Sequence, residues 1–191
     1  MKPQSFLKGA LIITLGGIAA KLLGAFYRIP LTNILGGEGM GIYQMVYPLY
    51  CLLLTISATG IPSGLARLIS QAEKKGGGAS EGILKKSLTL FAAIGLIGSA
   101  AMFFIAPFMS AAQSEPGAVT AYRMLAPSVF FVSVISCFRG YFQGKSNFYP
   151  TALSEIAEQI VKIGLGLFFA RVFRANVQAA VSYGLFSATL S

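Results

Sequence analysis

Lys21 and Arg28 fall inside "GGIAAKLLGAFYRIP" (16–30), a stretch otherwise apolar enough for a lipid bilayer. Seven residues apart is two helical turns, so the two side chains share a helix face. Gly17 and Gly24 form a stripe of small residues close by, which lets a neighbouring helix approach closely. A cation in hydrocarbon costs at least ~2.5–3.5 kcal/mol, so water, a carboxylate or an anionic ligand must compensate it. Two readings of each residue stand. Lys21 either snorkels toward the outer surface or borders a wet groove that receives an anion. Arg28 either anchors the membrane interface or joins that groove. A second polar face lies in "TALSEIAEQIVKIG" (151–164). There Glu155, Glu158 and Lys162 recur at i, i+3 and i+7, with Gln159 at the edge. Glu158 and Lys162 stand in the favourable order for an i,i+4 ion pair. In lipid this face must turn inward, either as a self-satisfied ion pair or as a cavity wall that titrates. One lysine between two carboxylates leaves a negative charge over, for which Lys21 is a candidate partner.

The chain has little else for chemistry. It contains no His, no Trp and no Asp. Most acid–base and metal sites cannot be assembled from what remains, so we expect no enzyme, no metal and no cofactor. Cys51 and Cys137 lie in apolar runs without metal-ligand spacing and read as small buried hydrophobes. The glycine-rich "GGEGMG" (36–41) follows no strand, so it lacks the context of a phosphate-cradling loop.

These residues must be held by membrane helices. Of 191 residues 55% are hydrophobic and 11% charged, with 22 glycines, whereas a soluble domain is nearer ~25% charged. Uncharged or nearly uncharged runs define six expected spans, about 6–29, 40–62, 87–109, 119–139, 150–171 and 175–191. Pro30 is expected to close the first and Pro48 to bend the second. The runs are too long and too uniformly apolar for barrel strands, so the expected fold is an all-α transmembrane bundle. The basic, apolar N-terminus continues past Ala20 and reads as a retained span, not a signal peptide. The connector 63–82 carries Leu65, Leu68 and Ile69 at helical spacing opposite charge, then a "GGG" break. It reads as an amphipathic helix at the membrane interface. With the N-terminus inside, inner segments hold nine cations (Lys2, Lys8, Arg67, Lys74, Lys75, Lys85, Lys86, Arg139, Lys145). Outer segments hold four (Arg28, Arg123, Arg171, Arg174), so the N-terminus is expected in the cytoplasm. The net charge of +9 then reflects topology and anionic membrane lipid rather than nucleic acid.

Two segments carry a resemblance. "FLKGALIITLGGIAAKLLGAFYRIPLTNILGGEGMGIYQMVYPLY" (6–50) resembles the opening of the polysaccharide and peptidoglycan-precursor flippases. These belong to the multidrug/oligosaccharidyl-lipid/polysaccharide exporter superfamily. "FRGYFQGKSNFYPTALSEIAEQIVKI" (138–163) resembles its stage V sporulation protein B branch, most specifically in "RGYFQG" and "EQIV". The resemblance implies two six-helix lobes facing a central cavity. It implies export of lipid-linked saccharides, such as undecaprenyl-diphosphate precursors, by alternating access in the bacterial cytoplasmic membrane. It also implies that Lys21 and Arg28 meet the diphosphate and that Glu38 takes part in gating. Arg139, the arginine of "RGYFQG", would be structural or gating at the cytoplasmic end of span four. Two departures stand out. The arginine that lipid II flippases place in their second helix has no counterpart, because span two is uncharged. The chain also has about half the expected spans or fewer, so it is read as the N-terminal lobe, with the C-terminal lobe a missing partner. A multidrug or cation antiporter of the same superfamily would use Glu155 or Glu158, and the cation in span one opposes it. A non-transporting scaffold for envelope assembly would need no cavity charges. Sporulation as the process rests on the resemblance alone.

Overall fold

The structure, a computed structural model, describes residues 6–58, 60–76 and 78–191, without the side chains of 6–8, 10 and 56–58. Lys2, the side chain of Lys8 and the centre of the "GGG" break therefore lie outside the described residues. The described chain is helical: α1 (Phe6–Ala58), α2 (Gly60–Lys74), α3 (Ser80–Ala112), α4 (Ala118–Gly144), α5 (Tyr149–Val172) and α6 (Val177–Leu190). The fold is an all-α membrane bundle. By length and composition, three stretches among the described residues could cross a membrane: 11–74, 80–112 and 118–144.

A straight helix of 53 residues would run about 80 Å, far more than a bilayer. α1 does not run straight. Gly36 breaks it with φ 67° and ψ −171°, a region essentially reserved for glycine. Lys21 and Arg28 on the first arm share a cavity with Tyr43 and Tyr47 on the second, so the arms fold back on one another. The loop expected over 36–41 shrinks to this single residue, since 37–41 are helical. Pro30 does not end the first arm, as expected, but sits inside it, as do Pro48, Pro107 and Pro127 in their helices. Neighbouring helices and nearby hydroxyls can re-satisfy a carbonyl that proline frees. The carbonyl Pro30 frees is that of Phe26; Thr32 Oγ1 makes the ordinary back-bond to the Arg28 carbonyl at 2.8 Å.

Glycine contacts fix how the helices run. Gly9 lies on Phe148, Gly16 on Ala152 and Gly24 near Gln159, so the first arm and α5 are parallel. Gly95 on Ser133 and Gly98 on Val129 make α3 and α4 antiparallel. Gly117 on Gln178, with Thr189 donating to the Met124 carbonyl, makes α4 and α6 parallel. One end of the bundle thus collects Gly36 and the α3–α4 and α5–α6 turns; the other collects α2 and the α4–α5 turn. The core joins both arms of α1 to α3, α4, α5 and α6 through Leu31, Ile42, Val46, Met102, Leu125, Ala170 and Val181. Tyr122 is fully buried there and donates to the Met45 carbonyl at 3.0 Å.

α2 is the helix expected within 63–82, begun three residues earlier, and its apolar face packs on the protein itself. Its apolar residues Ile61, Leu65 and Ile69 are buried with Cys137 of α4. Leu68, expected on the same stripe, is 52% exposed, because it lies about 100° round the helix from Ile69. The α4 surface that receives α2 is Gly140 and Gly144, which touch Pro62, Leu65, Ala66 and Ile69. Glu73 then accepts from the Ser80 hydroxyl and lies 3.7 Å from Lys145 Nζ.

Candidate functional site

The first arm of α1 presents two different surfaces. Leu11, Leu15, Ile18, Leu22, Phe26 and Ile29 form an exposed apolar stripe. Lys21 and Arg28 stand about a quarter turn from it. Both line a cavity of about 370 Å³, together with Tyr27, Tyr43, Tyr47, Gln159 and Lys162. Lys21 therefore lines the recess and does not belong to the apolar stripe. α5 can approach here because Gly16 carries no side chain. A Cβ at Gly16 would stand 2.7 Å from that of Ala152.

The carboxylates expected in this cavity lie elsewhere. Glu158 does not pair with Lys162. Its Oε2 accepts from Arg139 Nη2 at 2.9 Å, while Arg139 Nε donates to Ser154 Oγ at 2.9 Å. The planar guanidinium of Arg139, reaching from α4, satisfies two acceptors of α5 at once. Lys162 is left in the cavity wall. Glu155 is half-buried one turn before Gln159, near Gly17, and forms no ion pair with Lys21 among the described residues. Glu38 is exposed beside Gly36 at the far end of the bundle. None of Glu38, Arg139, Glu155 and Glu158 lines the cavity, whereas Gln159 and Lys162 do.

The result is a recess with three cations and no carboxylate in its wall. Among the described residues the ion pairs are Arg139–Glu158 and Lys145–Glu73, so Lys21, Arg28 and Lys162 have none. Three phenol groups accompany them. Tyr43 and Tyr47 stack at 5.4 Å between centroids, and Tyr27 comes from the opposite arm. Sequence reasoning missed these tyrosines. The signal was Tyr43, Tyr47 and Tyr50 at i, i+4 and i+7, a polar-tipped face in an uncharged run. Cations, phenols and an amide around one recess offer donors to an anionic, oxygen-rich group. Among the described residues no cluster of His, Cys, Asp and Glu has the makings of a metal site. Cys137 is buried and Cys51 half-buried, both as free thiols.

Residues 6–191 match the family described as polysaccharide biosynthesis protein. The chain belongs to that family. Among its relatives is stage V sporulation protein B of Bacillus subtilis, 36% identical over 168 residues, which are 86% of this chain and 32% of the relative. Another is the lipid II flippase MurJ of the same organism, 29% identical over 201 residues, 98% of this chain and 37% of the relative. Sporulation protein YkvU, also of Bacillus subtilis, is 23% identical over 187 residues, 97% and 41%. The chain spans about a third of the length of the first of these relatives. No solved structure matches it.

Within this polysaccharide biosynthesis family member, "RGYFQG" acquires a physical meaning. Its arginine ties α4 to α5 through Glu158 and Ser154. Its two glycines, four residues apart, seat α2 on the neighbouring face of α4. Span two brings no cation to the recess, whose third cation is Lys162 of α5.

Proposed function

We propose that this chain is the cation-bearing lobe of a flippase for lipid-linked saccharides with a diphosphate linkage, of the undecaprenyl-diphosphate type. One observation carries the reading: Lys21, Arg28 and Lys162 converge on a single recess whose wall holds no carboxylate. Charge-assisted hydrogen bonds to a diphosphate gain strength where water is scarce. The stacked tyrosines offer hydroxyls and ring faces to the sugar. In this reading both arms of α1 cross the membrane, making six spans with α3 to α6. The N-terminus is cytoplasmic, in a bacterial cell membrane. A second lobe closes the open side of the recess and rocks against this one to give alternating access. The lipid II flippase among the relatives supports the substrate class. An organic-cation antiporter is disfavoured because the recess repels like charge and the carboxylates it would need are engaged or outside. A scaffold without transport gives no reason to hold three unpaired cations together.

Binding of undecaprenyl diphosphate to the purified chain in nanodiscs tests the reading. K21Q, R28Q and K162Q should each weaken it about tenfold or more, the value of one charge-assisted hydrogen bond. Uncharged undecaprenol should not distinguish the variants. Equal affinity of the wild type for the two lipids would remove the proposal.

A further inference from the structure

The face of α5 turned away from Gln159 and Lys162 carries a different feature. At 100° per residue, Ile163, Gly164, Leu167, Phe168, Arg171 and Val172 cluster on that side. They line a groove of about 500 Å³ in which Arg171 is the only charged residue. Phe168 and Val172 are 59% and 57% exposed, so the groove opens on the outside of the bundle. Gly164 leaves room in it, since a Cβ built there meets nothing within 4 Å. Arg171 also lines a second cavity, of about 440 Å³, with Asn33, Ile34 and Arg174. Neither guanidinium is in an ion pair among the described residues.

An apolar groove that ends at two unpaired guanidinium groups and an amide is complementary to an amphiphile with hydrocarbon chains and a phosphate head. Arginine's planar fork suits phosphate oxygens. Both cavities lie at the Gly36 end of the bundle, where a helix end meets the headgroup layer. The groove faces outward, away from the Lys21 recess, so its occupant arrives from the surrounding bilayer. We infer that α5 carries a binding site for an anionic phospholipid of the phosphatidylglycerol type. One chain lies along Ile163–Val172, and the phosphate is held by Arg171, Arg174 and Asn33. Such a lipid would brace the α5–α6 turn against the kink of α1, independently of any transported substrate.

Native mass spectrometry of the full chain, released from vesicles of equal phosphatidylglycerol and phosphatidylcholine, tests this. The wild type should retain phosphatidylglycerol about tenfold over phosphatidylcholine. R171Q/R174Q should abolish the preference, and R171K/R174K should keep part of it. G164L, whose Cβ meets nothing within 4 Å and whose side chain reaches into the groove, should lower retention of both lipids while helix content by circular dichroism stays unchanged. K21Q and R28Q should leave retention as it was, which separates this site from the diphosphate recess. Equal retention of the two lipids, or a preference unmoved by R171Q/R174Q, overturns the inference. Stronger retention of undecaprenyl phosphate through Arg171 and Arg174 assigns the groove to the transported lipid and overturns it too. A dimer that G164L disperses means that a second copy fills the groove, which equally overturns the lipid site.

Discussion

At the scale of single residues, the charges divide by what faces them. Arg139 and Glu158 are 15% and 28% exposed and satisfy each other. Arg123 lies 5.1 Å over the Phe103 ring, which partly offsets its position in an apolar span. Lys21, Arg28 and Lys162 lack such partners among the described residues, and the proposed diphosphate site rests on that difference. The pair makes a direct prediction. R139Q should destabilise the bundle by about 1–3 kcal/mol, because it leaves a half-buried carboxylate without its donor. R139Q/E158Q should recover most of that loss, since neither charge then needs a partner. Melting temperatures in detergent would read both. Sequence periodicity placed Glu155, Glu158, Gln159 and Lys162 on one face of α5, where the structure has them. It could not place Arg139 opposite Glu158, because that contact joins residues 19 apart on two helices.

At the scale of elements, glycine decides where helices bend and where they meet. Gly36 alone turns α1 into a hairpin. G36A should cost about 1–3 kcal/mol, the strain of a side chain in a region only glycine occupies freely. G37A should be neutral or mildly stabilising, because Gly37 is helical and a Cβ there meets nothing within 4 Å. Comparing the two melts isolates backbone strain from packing. Gly144 works differently. A Cβ there would stand 2.8 Å from the Ala66 carbonyl oxygen and 2.6 Å from Ile69 Cβ. G144L should therefore push α2 off α4 and expose the α2–α3 connection. Limited proteolysis should cut near residues 74–79 faster than in the wild type, with the other helices protected. The glycines were visible in the sequence as candidates for close approach. Which helix each one receives was not, since small residues advertise a contact without naming the partner.

For the whole molecule, the parallel and antiparallel contacts place the helix ends in two groups, as alternating crossings require. If the N-terminus is cytoplasmic, a cysteine at Glu38 in a C51S/C137S background should react with a membrane-impermeant maleimide from outside intact cells. A cysteine at Lys75 should react only after permeabilisation. The reverse pattern would invert the bundle and place the recess on the opposite path. Hydropathy and charge count determined that the chain is an apolar helical bundle, where α5 and α6 begin and end to within two residues, and that Lys21 and Arg28 share a face. These follow from local costs, the burial of backbone and charge in oil, which any stretch of sequence incurs by itself. The tertiary structure alone decided that Glu158 answers Arg139, that α2 packs its apolar face on α4, and that Lys162 and three tyrosines join the two cations. Each of those outcomes is a competition among partners distant along the chain, and helix packing settles it by bringing one within reach and leaving the others out.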